Sequence, residues 1–446
     1  PILTALTDKS LIRLLPSGRY EIHELLRQYA AARLADDPAR DEAARERYAI
    51  YYGAFLRQRE ERLLETDQEA TLDEMTPEMD NVRLAWRWLI HHERLDILDE
   101  ALWTLAFYYQ FRGQIVEGMA LVDETLTGIA PPDDREPRRA RLHVRLYVFR
   151  AKFLMLQGRV AESRDLMKQI LPQLRRWGMP KDVILGLWVL GHTMGWLGDP
   201  DWSTPFREGL ALARASGPRW LKSFMASRVV DFLTFYSSDP LSVAAESREL
   251  LSEATAIAEN LNNPYLLINT HLVDGNMGKI HGDYQRAEQA YEQALGQTKR
   301  INHLWLMAMT YRDLGTVNHL QGELGRAGQY YEEMRHLARR MGARSMEANL
   351  LGIMGQLARA EGELDRALEH FQAGLTLVQE LGVSYEASWL LCFIGHTLLA
   401  KNRVGMAAPY LHKSLPGMDD DTDPELAGMV LAGVAGVLAG RGQPKD

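Results

Sequence analysis

An all-α solenoid of stacked helical hairpins is the fold this sequence predicts, and three observations predict it. The pair Gly-x-x-x-x-Ala returns every 40 residues in the second half, as Gly282/Ala287, Gly322/Ala327 and Gly362/Ala367, and Asn402/Ala407 continues it with the glycine replaced. A second glycine stands seven residues ahead of each, at Gly275, Gly315, Gly355 and Gly395. Between these marks the apolar residues fall at helical spacing. A fixed period of this length belongs to an array whose units cannot bury their apolar faces alone and stack on one another. Such an array presents an elongated surface rather than a catalytic pocket.

The elements follow in chain order. In residues 1–35, Leu11-Ile12-Arg13-Leu14-Leu15, the turn Pro16-Ser17-Gly18 and Arg19-Tyr20-Glu21-Ile22 read as a β-hairpin set between helices, the second running from about Glu24 to Leu34. Residues 36–95 read as a helical connector, in which Val82, Ala85, Trp86 and Leu89 fall at helical spacing. The array occupies residues 96–423, with about eight hairpins between residues 96 and 417. Its early turns are Phe111-Arg112-Gly113-Gln114-Ile115-Val116, Gly158-Arg159-Val160-Ala161-Glu162-Ser163, Gly191 with Gly198, and Pro240-Leu241-Ser242-Val243. Pro131-Pro132-Asp133-Asp134 with Pro137 marks an irregular loop. Residues 424–446 read as a terminal capping helix and tail.

The unit from Tyr265 to Asn302 shows the logic. Its first helix runs from about Leu266 to His281, and Gly282-Asp283-Tyr284-Gln285-Arg286-Ala287 is the turn that starts the second. Ala287, Tyr291, Ala294 and Leu295 form the i, i+4, i+7, i+8 stripe of an amphipathic helix. Gly275 and Ala287 let two helices touch, and Tyr291 fills the space between hairpins. These slots recur at Gly315, Gly322, Ala327 and Tyr331, then at Gly355, Gly362, Ala367 and Phe371. The pattern resembles the tetratricopeptide repeat, lengthened from roughly 34 residues by nearly one helical turn per hairpin.

Two further resemblances sit ahead of the array. Leu6-Thr7-Asp8-Lys9-Ser10-Leu11-Ile12 and Arg19-Tyr20-Glu21-Ile22-His23-Glu24-Leu25-Leu26-Arg27-Gln28-Tyr29-Ala30 are similar to the winged helix of STAND-class NTPases. Glu78-Met79-Asp80-Asn81-Val82-Arg83-Leu84-Ala85-Trp86-Arg87-Trp88 resembles a segment common in bacterial predicted ATPases and antibiotic-regulator-like proteins. The resemblance implies the C-terminal part of a signal-transduction ATPase, with a long-repeat sensor similar to that of the maltose-regulon activator. It also implies that His23, in Ile22-His23-Glu24, occupies the place of a histidine that reads the phosphates of ADP. The other reading of His23 is a surface or capping histidine. ATP or ADP is expected in the whole protein and no cofactor in this chain, which opens abruptly on Pro1 and is expected to be a fragment.

Composition restricts the chemistry. A net charge of -9 argues against an overall basic nucleic-acid binder. Cys392 is the lone cysteine, so no intrachain disulfide can form and a reducing, cytoplasmic setting fits. Leu426 to Ala439 is too short and glycine-rich to span a bilayer. No Gly-x-x-x-x-Gly-Lys-Ser/Thr loop occurs, no pair among the 13 histidines has metal-ligand spacing with a carboxylate beside it, and no catalytic residue is expected.

Binding is the better prospect. In tetratricopeptide arrays the first helix of each pair lines a concave groove. Alignment on the turn glycines puts Lys152, His192, Tyr236, Asn276, Thr316, Gln356 and His396 in one equivalent slot. Neighbours one turn away include Trp188, Trp196, Asn269, Lys279, Arg312, His319, Arg359 and Trp389. Hydrogen-bonding groups, cations and tryptophans in an open spiral suit a peptide, a protein segment or an anionic small molecule. The slot that holds lysine in chaperone-binding members holds Leu272, so no chaperone partner is expected. The sequence thus predicts a sensor that signals to an upstream nucleotide-binding domain of the same chain. The alternative is a plain interaction scaffold without nucleotide linkage. Neither a membrane nor direct nucleic-acid contact is expected.

Overall fold

Hairpin after hairpin, the computed structural model builds what the 40-residue period calls for; it describes residues 2–16, 18–133, 135–236, 240–381, 384–414 and 424–441. Helix α1 (Ile2–Asp8) leads into strands β1 (Ile12–Leu14) and β2 (Tyr20–Ile22), an antiparallel pair with Ile12 opposite Ile22, and then α2 (Glu24–Ala35). After α3 (Pro38–Arg57) come a π-helical turn at Arg62–Thr66, α4 (Gln68–Met75), a 3-10 turn at Thr76–Glu78 and α5 (Met79–His91). Helix pairs follow in series: α6 (Leu95–Phe111) and α7 (Ile115–Gly128), α8 (Pro137–Leu156) and α9 (Val160–Trp177), α10 (Pro180–Trp196) and α11 (Ser203–Ser216). Then come α12 (Arg219–Tyr236) and α13 (Pro240–Leu261), α14 (Pro264–Ile280) and α15 (Tyr284–Arg300), α16 (Leu304–Leu320) and α17 (Leu324–Met341). The last pairs are α18 (Arg344–Ala360) and α19 (Leu364–Leu381), then α20 (Ser384–Ala400) and α21 (Val404–Lys413), closed by α22 (Pro424–Arg441). No helix among the described residues is long and apolar enough to cross a membrane.

The repeat glycines do two different jobs. Gly282, Gly322 and Gly362 turn the chain at φ of 76°, 84° and 82°, and Asn402 takes the same left-handed conformation at 58°. Asparagine tolerates that region better than most residues, which explains why it can replace the glycine there. The turn expected at Pro240–Val243 is instead the first turn of α13, and residues 237–239 ahead of it lie outside the described residues. The other glycines allow close approach: a Cβ at Gly275, Gly315, Gly355 or Gly395 would collide with Tyr291, Tyr331, Phe371 or Leu411 respectively. Gly315→Val is therefore expected to cost about 1–3 kcal/mol through overpacking, read as a lower urea midpoint at unchanged slope. A variant as stable as the parent would show that the Tyr331 ring has room to retreat.

The array is not uniform. From Ala49 to Ile301 the buried side chains form one continuous core, whereas later hairpins bury smaller separate clusters around Tyr331 and around Phe371, Cys392 and Leu411. The reason is a closure. Helix α6 is apolar on nearly all sides, which marks a helix buried on every face. Its Trp103 and Phe107 meet Trp220 on α12 at centroid distances of 6.0 and 5.3 Å, and Phe111 meets Tyr265 on α14 at 4.7 Å. The inner helices α6, α8, α10, α12 and α14 thus close on one another. An open spiral along the whole array was expected; only the part beyond α14 is open.

The segment between α3 and α4 holds this closure together. The Asn263 side chain donates to the Leu64 carbonyl at 3.0 Å, and the Tyr265 amide donates to Gln68 Oε1 at 3.0 Å. The Trp220 amide donates to Glu65 at 3.3 Å, and Lys181 pairs with Glu60.

Candidate ligand groove

The inner wall is built from the first helix of each pair, and its character changes where the closure ends. Within the closed half, Lys152, Trp188, His192 and Asn269 lie on the inner face as aligned, but they are buried rather than presented to solvent. Burial pushes the Lys152 pKa well below the usual lysine value, and burial with the nearby Arg228 charge pushes His192 down to about 3. The Asn269 side chain is spent on its own helix, donating to the Tyr265 carbonyl at 2.6 Å. Trp196 is half exposed and leans over His192 at 4.4 Å. The Tyr236 side chain lies outside the described residues.

Beyond α14 the wall is open and partly wetted. Asn276 donates to Asp231 at 3.1 Å and accepts from the Tyr291 hydroxyl at 2.8 Å, tying α12, α14 and α15 together. Arg312 is held by the adjacent Asp313 at 2.8 Å, and Thr316 donates back to the Arg312 carbonyl at 2.9 Å. Lys279 lies 5.8 Å from the Phe235 ring, and neither Lys279 nor Arg359 has an acidic partner among the described residues. Burial holds the Arg359 pKa below the usual arginine value. His319 is lowered by burial against the opposing pull of Glu361. Gln356 is exposed and Trp389 is half-buried against Phe393 at 5.7 Å. His396 belongs to the end of the array, because its Nε2 meets the Met429 carbonyl of α22 at 2.8 Å.

His23 stands apart from the groove. It is exposed and caps α2, its Nδ1 accepting from the Leu25 amide at 3.3 Å. Among the described residues no group of three or more His, Cys, Asp or Glu could hold a metal ion.

Sequence reasoning missed Arg228, Asp231, Phe235 and Tyr265, which complete the inner wall between α12 and α14. On α12 the aligned slot is Tyr236 at the helix end, so Arg228 and Asp231, more than one turn earlier, fall outside the slot and its nearest neighbours. The all-round apolar stretches Leu95–Phe111 and Val183–Trp196 were the available signal that this part of the wall is enclosed.

Comparison with known proteins agrees with this architecture. No curated protein matches the sequence. A Rap protein solved in complex with competence and sporulation factor is 14% identical, with a TM-score of 0.55 over 82% of this chain and 99% of that one. The apo form of the quorum sensor NprR from B. thuringiensis is 14% identical, with a TM-score of 0.52 over 79% and 99%. A STAND protein with a tetratricopeptide repeat sensor from Pyrococcus horikoshii gives 13% and 0.48 over 72% of this chain, which spans about half (52%) of that protein. At such identities the likeness is one of fold. The model of the MalT-like TPR region matches residues 244–416, the part where the 40-residue period is clearest, so that part of the array is similar to a MalT-like TPR region.

Proposed function

We propose that the chain is the sensor portion of a STAND-class ATPase acting in signal transduction or transcription regulation. A peptide, a protein segment or a small-molecule inducer binds the inner wall of the open half. Occupancy is relayed through the front end to a nucleotide-binding domain of the same protein. The observation that carries this reading is the contrast in charge pairing. On the outer helices, arginines are matched to acids on the next hairpin, as in Arg175 with Glu208, Arg207 with Glu246 and Arg326 with Glu288. On the inner wall, Lys279, beside Phe235, and the partly buried Arg359, near Cys392, are left unmatched among the described residues.

The signal is a difference in affinity: a ligand that prefers one curvature of the hairpin stack shifts the balance between two forms of the whole protein. The helix, hairpin and helix of residues 2–35 match the order expected of a winged-helix tail. In the whole protein His23 keeps Nε2 for a phosphate while Nδ1 caps α2. Cys392 is buried, its pKa pushed up to about 11 by that burial, as suits an inert structural thiol in the cytoplasm.

A peptide library screened by thermal shift tests the groove. A ligand is expected to raise the melting temperature and to lose about tenfold in affinity, about 1.4 kcal/mol, on Arg359→Ala. If every stabilising peptide binds Arg359→Ala and Trp389→Ala as tightly as the parent, the open wall is not the site. The purified chain is expected to release no phosphate from ATP, and turnover by it would contradict the assignment of hydrolysis to a separate domain.

A further inference from the structure

The enclosed part of the inner wall is graded along its axis. On α10, Trp188 is 5% exposed, His192 8% and Trp196 50%; on α12, Phe224 is 4% exposed and Phe235 49%. The closed half is therefore sealed where Trp103 meets Trp220 and opens where Trp196 and Phe235 stand. Between seal and mouth lies a layer of buried polar side chains with nitrogens that lack partners among the described residues.

Lys152 is 1% exposed, its ammonium 3.6 Å from the centroid of Phe107 and 6.0 Å from that of Trp188, with no ion pair or hydrogen bond among the described residues. Trp188 Nε1, His192 Nδ1 and Arg228 Nε are buried without a partner among the described residues. These side chains are contiguous: Trp188 lies 5.6 Å from His192 and 5.0 Å from Phe224, over which the Arg228 guanidinium sits at 5.9 Å. The acid of this layer is Asp231, 3.3 Å from Arg228, and it already accepts from Asn276. Buried donors without acceptors are costly and rare in folded proteins. Water could serve the neutral N–H groups; an anion would serve them and also favour the protonated form of Lys152.

We propose that Lys152, Trp188, His192 and Arg228 form a site for a small anionic group, a carboxylate or phosphate, carried by a ligand that enters past Trp196 and Phe235. This deepens the groove reading and rests on it for the route of entry. Phe107 and Phe149 supply an apolar backing, in which each charge-assisted hydrogen bond is stronger than at a wet surface.

Melting temperature is measured in sodium phosphate, sodium acetate and sodium chloride at matched ionic strength, for the parent chain, Lys152→Met and Arg359→Ala. The parent and Arg359→Ala are expected to show a saturable rise with phosphate or acetate beyond that in chloride. Lys152→Met should weaken the apparent affinity at least tenfold, leaving only the non-saturating gain that excluded salts give any fold. A response to phosphate alone or to acetate alone assigns the anion class. No saturable response in the parent, or the same response in Lys152→Met, overturns the proposal. If Lys152→Met still binds the library peptides that need Arg359 while the small anions do nothing, the open-groove reading stands and this site falls.

Discussion

Replacing Arg145 by methionine is expected to destabilise the protein by about 3–5 kcal/mol, the range for removing one partner of a buried charge pair. The guanidinium, buried on α8, donates to the Asp182 carboxylate at 3.0 Å and also pairs with Asp99, both carboxylates being buried themselves. Burial works to lower the Arg145 pKa, yet the Asp182 and Asp99 charges outweigh it and hold it above the usual value. Asp182 is also the acceptor for Trp103 Nε1 at 2.7 Å and for the Met179 amide at 2.8 Å, so it cannot turn away when the arginine is lost. Asp99 keeps Arg141 at 2.5 Å on a more exposed side. The loss is therefore concentrated where α6, α8 and α10 meet. Urea unfolding followed by circular dichroism measures it, with Arg145→Lys recovering part of the stability. A loss below about 1 kcal/mol would mean that water reaches both acids and that the junction is not sealed.

Lys152→Met is expected to act in the opposite direction, stabilising the fold by about 1–4 kcal/mol, as when buried ionic groups give way to well-packed apolar ones. Methionine has a similar length and makes favourable contacts with aromatic rings. The sign follows from linkage. Burial lowers the lysine pKa in the folded state, so the unfolded chain binds the proton more readily and is favoured increasingly as pH falls below the free lysine pKa. The advantage of Lys152→Met should therefore be largest near neutral pH and shrink as pH rises toward about 10. A variant less stable than the parent at pH 7 would show that the ammonium is already compensated in the folded state. A residue retained against its cost to the fold is what a binding role requires.

Much of this was legible in the residues themselves. The turn glycines at positive φ, their asparagine substitute at Asn402 and the pairing of Gly315 with Tyr331 follow from spacing and steric size alone. The equivalence of Lys279, His319 and Arg359 follows from the same period. What could not be read was the closure. Its bonds join residues far apart in sequence, Gln110 to Tyr265 and Leu64 to Asn263, and depend on small hairpin-to-hairpin rotations that add up over five pairs. No local pattern encodes such a sum. Lys152 and His192 are consequently expected in an open channel, whereas both are buried. The all-round hydrophobicity of α6 and α10, against the one-sided pattern of α15, α17 and α19, is the trace that closure leaves in the composition.

The strap of residues 60–69 has a mechanical consequence. It fastens to Lys181 ahead of the fourth pair, to Trp220 within it, and to Asn263, Tyr265 and Arg300 of the fifth. A guest that wedges α12 and α14 apart must drag this strap or tear it loose. The girth of the closed half is thereby coupled to the seat of residues 60–69, since the one cannot widen without loosening the other.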